Sequence, residues 1–258
     1  MIISMFIDTH AHLEDKGNKL NDLLQRAKDA GVEKIISIGF NYQSSIEAVE
    51  IAKKYPEVYA VVGIHPHDAK SYNNDAMEGL YKLAKDKNVV AIGEMGLDFY
   101  RDLSPRETQR KVFREQIKIA QELYMPVVIH DRDAHQEVLD IIKQEKAGKN
   151  EGIMHCYSGN LPLAIELMKQ GLYISLAGPV TFKNAKKSHE VAVKVTQDRL
   201  LIETDSPYLA PEPFRGKKNE PAYIKYTAEK IAKLRGKTTE EIGYITSLNA
   251  KKVYRIND

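Results

Sequence analysis

A single cysteine, Cys156, means that no disulfide can form within the chain, and this cysteine usage fits a reducing cytoplasm. No apolar run approaches the roughly 18 residues that a bilayer span needs, so the sequence reads as a soluble globular protein with no membrane partner. The net charge of only +2 leaves no global field with which to grip a polyanion, and any nucleic-acid contact must be local. The opening Met1-Ile2-Ile3-Ser4-Met5 lacks a basic n-region and leads straight into a strand, which argues against a cleavable signal. No linker or internal repeat marks a second domain. The 258 residues, 43% of them apolar, read as one domain over 1–258 with a substantial core and no obligatory protein partner.

What is present is a regular alternation. Apolar runs of strand length fall at Met5–Asp8, Lys34–Phe40, Val58–Ile64, Val89–Met95, Pro126–His130, Gly152–His155, Tyr173–Ala177 and Leu200–Asp205. They are rich in Val and Ile and mostly lack polar alternation, as expected of parallel strands buried on both faces. Amphipathic stretches lie between them at Lys19–Ala30, Ser44–Tyr55, Asp75–Lys87, Pro105–Tyr124, Ala134–Glu145, Pro162–Gln170 and Lys186–Thr196. Ser104, Pro105 and Glu107 read as a capping box with proline at the first helical position, and Gly31 and Gly171 as helix stops. After a proline-rich loop from Pro207 to Pro221 come two further helices, near Ala222–Leu234 and Thr239–Tyr254, the second with a capping box of Thr238 and Glu241. The pattern predicts an α/β fold, a TIM (β/α)8 barrel with additional C-terminal helices; a doubly wound open sheet is the alternative.

In a barrel the active site lies where the C-terminal ends of the strands converge. Strand one delivers His10 and His12, two residues apart and so on one side of the strand, where both can meet one cation. The same HxH would also arise from one packed histidine and one exposed one. The other strand ends decide between these readings. Strand three ends in His65-Pro66-His67, strand four carries Glu94 and Asp98, strand five ends in His130, strand six in His155 and strand eight in Glu203-Thr204-Asp205. Only His135 and His189 of the eight histidines fall in expected helices, where a surface position is the simpler reading. Chance would not concentrate the other six in this way.

His10, His12, Glu94, His130, His155 and Asp205 are therefore the expected metal ligands. They are too many for one four-coordinate ion with an open position, so two divalent cations are expected, with Glu94 as the bridge. His10, His12, Glu94 and Asp205 would hold the first ion, and Glu94, His130 and His155 the second. Asp205 is placed to take a proton from an activated water. The identity of the cations is open among Mg, Mn and Zn.

The motifs IDTHAH, GIHPH, GEMGLDFY, IHDR, MHCYSG and ETDSPYLAPEPFRGKKNEP, with Leu248-Asn249 in the closing helix, resemble the HxH-containing branch of the TatD-type deoxyribonucleases, in the wider amidohydrolase-like superfamily. The resemblance covers nearly the whole chain. It implies a TIM-barrel, metal-dependent phosphodiesterase acting on DNA as a 3′→5′ exonuclease, and it supports the six ligands position by position.

Several further residues are candidates. His65 can bind a phosphate oxygen or leaving group, or only brace the Pro66 turn. Asp98 and Tyr100 are similar cases, and Arg132 can fork onto a phosphate or pair at a helix start. Arg215 with Lys217 and Lys218, and Lys183 with Lys186 and Lys187, form basic clusters that are either phosphate contacts or solvated surface. Glu203, two residues before Asp205, can orient a ligand. Cys156 should point away from His155 into the core. Other readings are a small-molecule amidohydrolase cleaving C–N or ester bonds, and a metal-retaining binding barrel. Many amidohydrolases bridge two metals with a carboxylated lysine on strand four; Glu94 holds that place here, which favours phosphodiester chemistry.

Overall fold

Val- and Ile-rich runs with no face to spare for water form eight strands: β1 (Phe6–Ala11), β2 (Val32–Ile38), β3 (Val58–Val62), β4 (Val89–Asp98), β5 (Val127–Arg132), β6 (Gly152–Met154), β7 (Leu172–Leu176) and β8 (Leu200–Ile202). This computed structural model describes residues 5–14 and 17–256. Met1–Ser4, on which the reading of the N-terminus as no cleavable signal rests, lie outside the described residues. Neighbouring strands follow chain order from β1 to β8, and β3 to β6 and β7 to β8 pair in parallel. The helices between them are α1 (Asn18–Asp29), α2 (Tyr42–Lys54), α3 (Asn74–Leu83), α4 (Arg106–Glu122), α5 (His135–Glu145), α6 (Leu161–Lys169) and α7 (Lys186–Lys194); α8 (Ile224–Arg235) and α9 (Thr239–Tyr254) follow β8. This is the (β/α)8 barrel class that the alternation predicts.

Two of the expectations change in detail. α8 is the eighth helix of the βα series and packs on α7, so one helix, α9, is additional rather than two. Ser104 does not cap α4: Pro105 holds the cap position without a side-chain bond. The Ser104 hydroxyl donates to His67 O at 2.8 Å and accepts from Lys70 N at 3.0 Å, because it is buried against a turn with backbone groups to satisfy. Glu107 pairs with Arg110 at 2.6 Å instead of closing a box. The Thr238–Glu241 box on α9 forms as expected, and Gly31 and Gly171 take positive φ of 87° and 92° just past α1 and α6.

The chain divides into two compact units. The first comprises Met1–Ile36, Cys156–Ile165 and Ile174–Asp258 and includes β1, β8, α1, α7, α8 and α9. Here the first and last strands meet: Asp205 N donates to His10 O at 2.9 Å and His12 N to Ser206 O at 2.8 Å, with Ala11 bridged in parallel to Ser206. α9 ties down both strands. Ser247 Oγ donates to Met5 O, Asn249 Nδ2 to Leu200 O and the buried Tyr254 hydroxyl to Thr9 O, at 2.8, 2.9 and 2.9 Å.

The second unit comprises Ser37–His155 and Glu166–Tyr173 and includes β3 to β6 and α2 to α5. α4 buries two glutamines among its apolar residues, and each holds a strand end. Gln116 accepts from Ile64 N at 2.8 Å and donates to Ile64 O at 2.9 Å. Gln109 accepts from Asp98 N at 2.9 Å and donates to Ser104 O at 2.8 Å. β4 runs close to β5 because Gly96 has no side chain; a Cβ there would lie 1.9 Å from His130 O, and its φ of 144° is one that glycine favours.

Candidate metal centre

In the first unit, β1 continues past the expected Asp8 to Ala11, so His10 is a buried strand residue and His12 follows the strand. Asp205 lies beyond β8 with φ of 56°, in the left-handed region that aspartate tolerates. His10 Nε2 and His12 Nε2 stand 3.7 and 3.5 Å from the same atom, Asp205 Oδ1. These separations are long for an N–H···O bond but close to the ~3.0–3.5 Å that separates adjacent donors on one ion with bonds of about 2.0–2.2 Å. The three residues form one potential metal-binding group.

Buried carboxylates brace this group. Asp8 accepts from Thr204 N at 2.9 Å and Thr204 Oγ1 at 2.6 Å, joining β1 to the segment that carries Asp205. Burial pushes the Asp8 carboxyl up to about 7, against the pull of those hydrogen bonds. Glu203 is fully buried, and its Oε1 accepts from Cys156 N at 2.8 Å. Cys156 itself is half-buried rather than core: β6 stops at Met154, so strand alternation no longer governs it, and it turns with φ of 43°.

In the second unit, Glu94 is the centre of a histidine cluster. His130 Nδ1, His155 Nε2 and His65 Nε2 lie 2.8, 3.1 and 3.4 Å from Glu94 Oε1. His65, Glu94 and His130 together form a second potential metal-binding group. The other nitrogen of two of these rings is engaged. His130 Nε2 and His67 Nε2 both face Asp98 Oδ2, at 3.1 and 2.7 Å, and a carboxylate can only accept, so both rings present N–H to it. A neutral His130 then directs its Nδ1 lone pair at a carboxylate oxygen 2.8 Å away, an arrangement that requires a cation or a proton between them. Burial works against a proton on His130, but hydrogen bonds to Asp98 and Glu94 raise its pKa overall. Burial would also raise Asp98, yet His130, His67 and the Arg101 backbone hold its carboxyl well below the usual range.

His65 has the opposite polarity. Its Nδ1 accepts from His67 N at 3.1 Å, so the neutral ring carries its proton on Nε2, the atom that faces Glu94. Burial pushes it down to about 4, despite Glu94, which keeps it neutral at pH 7. A neutral N–H donor suits a phosphate oxygen better than a metal. Both clusters thus supply imidazole and carboxylate donors of the type and spacing that divalent transition metals accept.

Among the expected substrate contacts, Arg132 ends β5 with its guanidinium carbon 4.3 Å above the Tyr100 ring. Arg215 lies 4.3 Å above Phe182 in the first unit, and Lys183, Lys217 and Lys218 are exposed with no ion pair among the described residues. His135 pairs with Asp131 at 2.8 Å and His189 faces Val180 O at 2.9 Å, and neither belongs to a potential metal-binding group among the described residues. Asp8, His67, Gln109 and Gln116 had no assigned role in the sequence. An acid inside an apolar run, two residues before His10, was the available signal for Asp8; the glutamines carried none.

The "TatD related DNase" family profile matches residues 7–255. The chain is 48% identical over 255 residues to the metal-dependent hydrolase YabD of Bacillus subtilis, covering 98% of this chain and all of the relative. It is 38% identical over 237 residues to the 3′-5′ ssDNA/RNA exonuclease TatD of Pectobacterium parmentieri, covering 90% of this chain and 91% of the relative. The crystal structure of the TatD homologue YjjV from Escherichia coli superposes over the full length of both chains with a TM-score of 0.93 at 29% identity.

Proposed function

Since the chain belongs to the TatD related DNase family of metal-dependent hydrolases, we propose that it hydrolyses phosphodiester bonds of DNA in the cytoplasm, removing nucleotides from 3′ ends of single strands, with RNA as a secondary substrate. The observation that carries this reading is the pair of donor clusters, His10, His12 and Asp205 on one hand and Glu94, His130 and His155 on the other. Each cluster would hold one divalent cation, Mg, Mn or Zn. When bound, the cations supply Lewis acidity and lower the pKa of water at neutral pH.

The chain's own groups do the rest. Asp205, just beyond β8, takes the proton of the attacking water. His65, neutral and with Nε2–H directed into its cluster, donates to a phosphate oxygen and offsets charge that develops on it. Asp98 fixes the His130 tautomer and Asp8 fixes the backbone before Asp205, so both are positioning residues. The edge N–H groups of Arg132, and the cations Arg215 and Lys183, take the flanking phosphates.

Single-stranded DNA labelled at the 3′ or the 5′ end, incubated with Mg or Mn and then with EDTA, tests the proposal. Stepwise loss of 3′ label that EDTA abolishes is the expected result. Absence of nucleotide release from either end, together with hydrolysis of a cyclic amide or lactone, would replace it with a small-molecule amidohydrolase. Glu94→Ala should abolish binding to the second cluster; full activity in that variant would refute the assignment of Glu94.

A further inference from the structure

Arg106, Arg110, Arg132 and Arg215 each lie over an aromatic ring, and the first two serve ordinary structural pairs. Arg106 and Arg110 sit over Phe99 and are also paired with Asp102 and with Glu107 and Glu137. Arg215 covers Phe182, which is half-buried. Arg132 differs from all three. Its guanidinium lies 4.3 Å from the centre of Tyr100, a ring 59% exposed, and it has no carboxylate partner among the described residues. The pair thus sets an uncompensated cation and an open aromatic face side by side in solvent.

The backbone under this pair is fixed rather than loose. Arg132 is in register with Asp98 across β4 and β5, and Phe99 N donates to Arg132 O at 2.9 Å. Tyr100 N and Arg101 N donate to Asp98 Oδ1 at 3.0 and 2.7 Å. The other oxygen of that carboxylate holds His130, so one buried residue anchors both the stacked pair and a metal ligand. Arg132 is two residues past His130, or about 7 Å along the strand.

The contact holds the guanidinium beside the ring through a cation–π attraction while much of the Tyr100 side chain stays open to solvent. Resting on the proposed nucleic-acid reading, we propose that Tyr100 and Arg132 form a stacking platform that takes one unpaired nucleobase of the substrate strand. The base lies on the exposed π surface, while the guanidinium edge stays available to the adjoining phosphate. Stacking needs the base face free, so the platform selects frayed or single-stranded ends over paired ones, with little preference among bases.

The test compares the metal-loaded enzyme on two oligonucleotides, one intact and one with three 3′-terminal abasic residues. For the wild type, the abasic end should raise KM by roughly 5- to 150-fold, the range of base–aromatic stacking. Tyr100→Ala should raise KM on the intact strand by a similar factor, with little change in kcat and no further loss on the abasic strand. Tyr100→Phe should restore the intact-strand value, because it keeps the ring. An equal loss on both strands in Tyr100→Ala, or no loss on either, would overturn the platform while leaving the nuclease reading in place. A wild-type enzyme that releases no nucleotide even from the intact strand would overturn the nuclease reading, and the platform with it. The substituted side chain is exposed, so folding, checked by thermal melting, is not at stake.

Discussion

Asp98→Asn tests whether the Glu94 cluster is organised from behind. The Asp98 carboxylate is 1% exposed and receives four donors: two backbone N–H groups on Oδ1 and two imidazole N–H groups on Oδ2. An amide offers one accepting end and one donating end, so in either orientation two of the four donors face an NH2 group. Hydrogen bonds to a charged group contribute about 1.5–3 kcal/mol each, and two lost ones amount to roughly 3–6 kcal/mol. His130 can recover part of this by moving its proton to Nδ1, toward Glu94, which leaves a net loss of about 2–4 kcal/mol. In a chain of this size that corresponds to a fall in Tm of roughly 5–15 °C. The same proton shift removes the lone pair a metal needs, so affinity for Mn or Zn should drop by about 10- to 100-fold. Calorimetric melting in EDTA and isothermal titration with Mn measure the two effects separately. The sign with pH also follows. The folded carboxyl is held below its unfolded value, so its stabilisation is present at pH 7 and is lost as pH falls through the folded pKa. The gap between wild type and variant should therefore narrow in acid. A folded Asp98→Asn protein that binds Mn within twofold of the wild type would refute the reasoning.

Other consequences are simpler. Gly96→Ala would place a methyl 1.9 Å from His130 O at φ of 144°, and should cost several kcal/mol of stability in a urea melt, whereas Gly216→Ala, with open space but φ of 83°, should cost about 1 kcal/mol. For the metal-free protein, His65 stays neutral when folded down to about pH 4 but takes a proton near 6.5 when unfolded, so stability should fall by about 3 kcal/mol as pH drops through that window. His65→Gln should flatten this part of a plot of urea midpoint against pH, and parallel slopes would count against a buried neutral ring. Thr238→Ala removes the hydroxyl that accepts from Glu241 N at 3.1 Å and should cost about 1 kcal/mol, read as a shift in urea midpoint with the slope unchanged.

The order of strands and helices was legible because the strands cannot hide a polar face: β8 is an unbroken Leu and Ile run, β3 is apolar throughout and β5 opens with Val-Val-Ile, and each is followed by an amphipathic stretch. The donors at the strand ends were legible for a related reason. A histidine or glutamate just past an apolar run is conspicuous, and His10, His12, Glu94, His130 and Asp205 all stand there. Support was not legible. Gln109 and Gln116 read as ordinary polar positions on an amphipathic helix, yet both are buried on strand-end backbone, because a side-chain amide can mimic a peptide group wherever the ladder stops. Ser104 misled for the converse reason: its local pattern offers a cap, but a turn distant in sequence competes for the hydroxyl and wins.

The roles of the histidines show most clearly where sequence reasoning stops. His65 lies just past β3 and His130 within β5, and both face Glu94; sequence alone separates them, His130 as a ligand and His65 as a phosphate contact or turn brace, without giving a physical reason for the difference. Their second nitrogens differ. A backbone N–H occupies Nδ1 of His65, which forces the proton onto Nε2 and makes the ring a donor. A carboxylate occupies Nε2 of His130, which draws the proton there and frees Nδ1 as a lone pair. The two neighbours responsible, the His67 backbone N–H and the Asp98 carboxylate, meet the ring nitrogen that does not face Glu94, and neither is implied by a histidine at a strand end. The difference between an imidazole that donates and one that offers a lone pair is therefore set by the partner behind each ring, and exchanging those partners, rather than the histidines, is what should exchange their chemistry.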